Sequence, residues 1–425
     1  MTSQSPPRES SCGCTDFDVS RRRFLMAAAA GVGTTAGASV FGDAFRQVAY
    51  GAAPGGNVVV VLSLRGGADG LSMVVPRGDD HELLRGLRPG IIVPEGSLVG
   101  GDTHFGLHPA FAPLLPMWQA GTFGTVHAVG LPAPNRSHFA AMEEIEDAHP
   151  GSSARVGWIN RAVGLSTSAV PETAVQLGSA LLPTSLVGPA PALGANAVAD
   201  LSIPPLNSSA ARRRSSIDAM WAGDTSLFGS TVRATLATAT RLSPLVEGAE
   251  KTVHTSAYPK GPLQDVLANT AALIRGDVGT TMVTVDYGNW DMHSGLGQPS
   301  DGWMSNQVGH LAGSLKAFFS DLGNAASRVT VVTMSEFGRR VQENGDHGLD
   351  HGYGNAMLLL GAGVNGGGVR GQWPHLSTLN DGDLAIRQDF RSVLWEVLAS
   401  RFPDISGRRT TVFPGLAPGA VGAMS

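Results

Sequence analysis

The chain has 425 residues with a net charge of −5; 15% are charged, 42% are hydrophobic and 56 are glycine. That is a globular composition rich in tight turns, unlike a disordered or fibrous one, and long enough for one large domain or two modest ones. No basic stripe appears, which argues against nucleic acid as a partner.

At the N-terminus, Ser20, Arg21 and Arg22 precede Phe24, Leu25 and a weakly apolar Ala/Gly run. The pattern resembles a twin-arginine export signal, an address read by the translocase and then removed. The run is too short and weakly apolar for a membrane span, which needs about 20 strongly apolar residues. Residues 1–53 are therefore expected as signal and leader, with cleavage between Ala44 and Ala53. The mature chain would be extracellular, periplasmic or held at the cell envelope, without a stable membrane span. Both cysteines, Cys12 and Cys14, lie before the apolar run. The mature protein would thus have no disulfide and no thiolate ligand, and any metal must be held by His, Asp and Glu.

The run "NVVVVLSL" (57–64) reads as a buried parallel-type strand that exits into the glycine loop "RGGADG". Short runs of the same kind follow at 123–130, 173–179, 281–288, 328–335 and 356–363. Helical periodicity occupies 262–275, 304–322 and 389–402. Strands alternating with helices predict an α/β fold with a mostly parallel central sheet flanked by helices. The Pro/Ala/Ser-rich segment 180–250 is expected as a helical insertion or lid, 54–415 as the main domain and 416–425 as a loose tail.

Ligands of open α/β sheets sit beyond the carboxyl ends of the strands. Asp69 follows the first run, and Arg136, Ser137 and His138 follow the second. Asp291 and His293 follow 281–288, and Glu336 follows 328–334. The loop "SEFGRRVQENGDHGLDHGYGNA" then adds His347, Asp350 and His351. Four strand ends thus deliver carboxylates, imidazoles and a hydroxyl to one rim, a set suited to one or two divalent ions. Each piece also has a plainer reading. Asp69 suits a turn and Ser137 a helix cap. Asp291 and His293 form a common turn pair, and Glu336 could pair with Arg339. The remaining histidines, among them His108 and His127, are expected in the core or on the surface.

"LSLRGGADGLSMVVP", "APNRSHFAAMEEIE", "GNWDMHSG" and "MSEFGRRVQENGDHGLDHGYG" resemble the family labelled domain of unknown function fifteen-oh-one, placed in the alkaline phosphatase-like, or sulfatase-like, superfamily. The resemblance implies that fold over most of the mature chain and a centre of one or two metals, with Zn, Mn, Mg and Ca all open. It implies Asp69, Asp291, His293, Glu336 and His351 as ligands and Ser137 as nucleophile. Phe337 stands where the superfamily has a further His ligand, so a second ion would be weak, absent or rebuilt from His347 or Asp350.

The expected activity is hydrolysis of phosphate or sulfate esters, small or polymer-linked. The ion would polarise the ester and activate Ser137 or water, while Arg136, Arg65 or Arg339 steadies the anionic oxygens. The alternatives are a non-catalytic binding or scaffold protein of the envelope and an isomerase or mutase of the same superfamily.

Overall fold

The valine run after Asn57 forms β1 (Val58–Leu64), buried along its whole length. Val58, Val60, Leu62 and Leu64 enter the core on one face of the sheet, and Val59 and Val61 enter the core on the other. A strand covered on both faces needs apolar residues at every position, hence the unbroken run. This computed structural model describes residues 55–166, 168–201 and 210–425. The twin-arginine segment, both cysteines and the expected cleavage window lie outside those residues.

From β1 the chain passes through a one-turn helix α1 (Gly70–Met73), strand β2 (Val74–Pro76), helix α2 (Asp79–Leu87) and strand β3 (Phe105–Leu107). Helix α3 (Leu115–Gln119) leads to β4 (Phe123–Gly130), α4 (His138–Asp147) and α5 (Trp158–Val163). Strands β5 (Ala174–Leu177) and β6 (Leu193–Ala195) precede helices α6 (Ala210–Trp221), α7 (Leu227–Glu247) and α8 (Ala249–Thr252). The segment 180–250 is therefore not helical throughout, since β6 within it extends the edge of the sheet. Helix α9 (Gln264–Arg275), β7 (Met282–Tyr287), α10 (Trp303–Leu322), β8 (Val329–Met334) and β9 (Asn355–Gly361) follow. The chain ends with β10 (Val369–Arg370), the hairpin β11 (Leu379–Asn380) and β12 (Asp383–Leu384), then β13 (Gln388–Asp389), α11 (Phe390–Arg401) and α12 (Arg409–Val412).

The main sheet runs β10-β4-β9-β8-β1-β7-β5-β6, with β13 also beside β4. Only β9 opposes its neighbours, being antiparallel to both β4 and β8. Every other pairing in the sheet is parallel. The fold is thus the expected α/β class, a mostly parallel sheet between helical layers. Helices α9 and α10 cover one face, α5 and α11 the other. Because β9 reverses between β4 and β8, the carboxyl ends of β4, β8, β1 and β7 open on one rim. No helix among the described residues is long and apolar enough to cross a membrane.

The C-terminal residues, expected as a loose tail, are tied down instead. Ala423 is buried and donates its backbone N–H to Glu396 at 2.7 Å, while Met424 bridges Val364. A small residue that fits a closed site can anchor a chain end that composition alone reads as free.

Candidate metal centre

Beyond β1 the backbone turns through Gly66 and Gly67, with φ of 116° and 68°. A Cβ on Gly66 would lie 2.6 Å from the backbone nitrogen of Asp291, so only glycine lets the two loops meet. The buried Glu336 carboxylate accepts the N–H groups of Gly66 and Gly67 at 2.8 and 2.9 Å. Arg339, also buried, donates to the carbonyls of Gly66, Gly67, Leu349 and Trp290 and to Asp291 Oδ1 at 2.6 Å. One acid and one guanidinium thus lock the exits of β1, β7 and β8 together. Their frame holds the side chains that converge above it.

His138, the first residue of α4, and His293 each bring Nε2 to 2.9 Å from Nε2 of His351. Asp291 Oδ1 lies 3.5 Å from the His138 and His351 nitrogens and 3.1 Å from that of His293. The ligand atoms of His138, Asp291 and His351 lie within 4.8 Å of one another, and His293 abuts two of the three. In each ring the other nitrogen faces an acceptor. His351 Nδ1 donates to the Arg136 carbonyl at 2.8 Å. His293 Nδ1 faces Asp350 Oδ1 at 3.2 Å, and His138 Nδ1 faces Glu336 Oε1 at 3.5 Å. The carbonyl puts the His351 proton on Nδ1, and the carboxylates facing Nδ1 of His293 and His138 favour the same tautomer there, which presents three Nε2 lone pairs beside a carboxylate oxygen. Lone pairs at 2.9 Å repel unless a cation or a proton sits among them. A tetrahedral ion with ligand bonds of about 2.0–2.1 Å holds its donors roughly 3.3 Å apart, within the spread seen here.

Electrostatics point the same way. Burial lowers the His351 pKa first; the Arg136 carbonyl opposes it, and the charges of Arg339, His138 and His293 lower it further. Its ring is thereby kept neutral and able to ligate. Partial burial works against ionisation of Asp291, but the hydrogen bond and charge of Arg339 outweigh it and hold the carboxyl below its ordinary range. Phe337, buried where a further His was expected, sets its ring 4.8 Å from both His138 and His351. It packs behind the two imidazoles and ligates nothing.

The structure therefore brings together Asp291, His293 and His351 and adds His138, which the sequence placed at the rim but outside the implied ligand set. Glu336 orients His138 from outside the donor group and is not itself a donor in it. Asp69 is a correction. Its carboxylate is buried, accepts the Ser72 N–H at 2.9 Å as the cap of α1, and is paired with Arg88. The partner that claims it lies on the far side of α2, where no local pattern could reveal it. His347 is exposed and faces Glu343, away from the cluster; Asp350 enters only as the partner of His293. The three arginines expected to steady oxygens are engaged elsewhere: Arg339 in the frame, Arg65 by Glu146 and Asp286, and Arg136 by Asp383 and Asp381. Ser137 stands at the N-cap of α4, exposed, and its hydroxyl makes no cap bond.

Residues 103–390 match the family described as Protein of unknown function (DUF1501). No curated protein matches the chain. Among solved structures, the alkaline phosphatase of the Antarctic bacterium TAB5 is 11% identical, covering 73% of this chain and 92% of that one, with a TM-score of 0.25. A mutant of the TAB5 enzyme with Mg bound is also 11% identical, covering 72% and 90%, with a TM-score of 0.24. Likenesses at that level decide neither fold nor chemistry.

Proposed function

Since the chain belongs to the Protein of unknown function (DUF1501) family, whose label assigns no activity, we propose its function from the rim itself: an exported, metal-dependent hydrolase of phosphate or sulfate esters. The observation that carries this reading is the meeting of three Nε2 atoms and Asp291 Oδ1, each ring facing an outer acceptor through Nδ1. Three imidazoles to one carboxylate suit Zn or another first-row ion better than Mg or Ca, which take oxygen donors. Among the described residues one such group exists, so the proposal is for one ion. When bound, it would supply Lewis acidity toward an ester oxygen.

The chain's own groups favour an anionic substrate beside the ion. Helix α4 begins at His138, itself a member of the donor group, and a helix N-terminus attracts negative charge. Ser137 offers an uncommitted hydroxyl one residue away. The test is elemental analysis of the purified mature protein, then a panel of phosphate mono- and diesters and sulfate esters with several divalent ions. Turnover that Ser137→Ala cuts by orders of magnitude, with metal content unchanged, assigns Ser137 as nucleophile. Full activity in that variant keeps the hydrolase and hands the attack to water.

A second reading, a metal-holding binding protein of the envelope, is favoured by the pairing of Arg65, Arg136 and Arg339 with protein partners. Metal binding without turnover across the panel would select it. Export is tested by changing Arg21 and Arg22 to Lys, which should leave unprocessed precursor in the cytoplasm.

A further inference from the structure

We propose that Asp383, on the hairpin β11–β12 and remote in sequence from every ligand, is a positioning residue that holds the two ligand-bearing loops in register. The inference rests on the metal reading above. Asp381 and Gly382 form the tight turn of this hairpin, with φ of 53° and 78°, a geometry that aims the next residue back at the body of the protein. The Asp383 side chain is 1% exposed. Its Oδ2 takes the Arg136 guanidinium, and its Oδ1 faces Nε of Arg340 at 3.5 Å. Arg340 also donates to the Asp381 carbonyl.

Those two arginines come from two of the segments that the centre joins. Arg136 stands two residues before His138, and its carbonyl receives the Nδ1–H of His351. Arg340 follows Arg339, which holds Asp291, and its backbone N–H donates to the Asp350 carbonyl at 2.9 Å. The pair Arg339 and His351 closes a β-bridge between the same segments. Leu384, next to Asp383, accepts the Gly354 N–H at 3.1 Å and fixes the end of the loop. One buried carboxylate thus fixes both the residue whose carbonyl sets the His351 tautomer and the segment that pairs with the loop presenting His351. Its geometry is not that of a pair tuned for stability, because Asp383 Oδ1 is buried without a hydrogen bond. Buried ion pairs are better attested as devices of register than of stability. Outer partners of metal ligands, when removed, lower metal affinity by about 10–100-fold.

The experiment uses the full mature chain and Zn2+ alone as probe, with affinity read by competition against a chelator. Asp383→Asn and Arg136→Gln should each weaken Zn2+ binding about 10-fold, the low end for outer partners, because both act on His351 through the placement of the Arg136 carbonyl. The double variant should be no weaker than the worse single one, because both act through one pair. Asp80→Asn removes a carboxylate that holds Trp373, His375 and Leu376 away from the centre, and serves as the structural control. It should lower the thermal midpoint and leave Zn2+ affinity unchanged. Nitrogen-15 spectra of the metal-free chain should show the Nδ1–H form of His351 in wild type and a mixture with the Nε2–H form in Arg136→Gln and Asp383→Asn, where the carbonyl of residue 136 is retained but no longer held in place. Wild-type Zn2+ affinity in both variants, with the His351 tautomer intact, overturns the proposal. A wild type that binds no divalent ion removes the metal reading instead, and the tautomer comparison still decides what Asp383 does.

Discussion

At His351 two demands meet: the ring must stay neutral, and its Nε2 must point at its neighbours. Burial meets the first and the Arg136 carbonyl the second. His138 supplies the matching nitrogen from the first turn of α4, so His138→Ala should abolish tight binding of a divalent ion, read by elemental analysis after dialysis. Ser137→Ala, one residue earlier, should leave the metal content at the wild-type level. Two other histidines set a pH dependence that does not involve the metal. Burial drives both His108 and His127 from 6.5 down to about 4. As pH falls from 6.5 to 4 the unfolded chain gains protons on these rings and the folded chain does not. Stability therefore is fully present above pH 6.5 and declines toward pH 4, by on the order of 3 kcal/mol per ring. Urea midpoints of the metal-free protein at pH 7 and pH 4.5 measure this, and equal midpoints would contradict it.

Among the elements, strand runs were the easiest part of the sequence to read, because a strand buried on both faces must be apolar throughout. The runs at 57–64, 123–130 and 328–335 became β1, β4 and β8 with little change. The direction of β9 was not legible, since a fully buried run looks the same parallel or antiparallel. Asp69 shows a deeper limit, because an acidic residue after a strand looks alike as a ligand or as a cap. Arg88 decides between them from beyond a helix, and only the fold reveals it. Asp69→Asn should therefore lower stability by roughly 3–5 kcal/mol, the cost of leaving a buried charge unpaired, in chemical denaturation. Metal content should not change; its loss would return Asp69 to the ligand set. The glycines of the long loop were legible as turn formers, yet their stricter role is close approach. A Cβ on Gly348 would meet the His293 carbonyl at 2.2 Å, so Gly348→Ala should displace His293 and weaken metal binding while His138 and His351 still hold the ion.

For the molecule as a whole, the centre joins three segments that the chain otherwise keeps far apart: the entry to α4, the exit of β7 and the long loop that leaves β8 and returns to β9. The candidate rim could be read from the sequence because each of these segments follows a strand end, and an open parallel sheet gathers such ends on one side. Asp291, His293 and His351 could be read as members of the group, but the role of Glu336 could not, because its carboxylate is spent on the backbone N–H groups of Gly66 and Gly67. That frame predicts how the protein answers to metal removal. Glu336, Arg339 and Asp383 hold the segments without an ion, so the chelated protein should remain folded with its sheet intact. It should nonetheless be less stable, because an ion bound only by the folded state adds about 4 kcal/mol when present at a thousand times its dissociation constant. Thermal scans with and without chelator should show a midpoint lower by several degrees in the chelated protein, restored by Zn2+ and less well by Mg2+ or Ca2+. Hydrogen exchange should place the loss of protection in 335–354 and at the start of α4, and leave β1 and α10 unchanged. Uniform loss across the sheet would mean that the ion, and not the buried frame, holds the rim together.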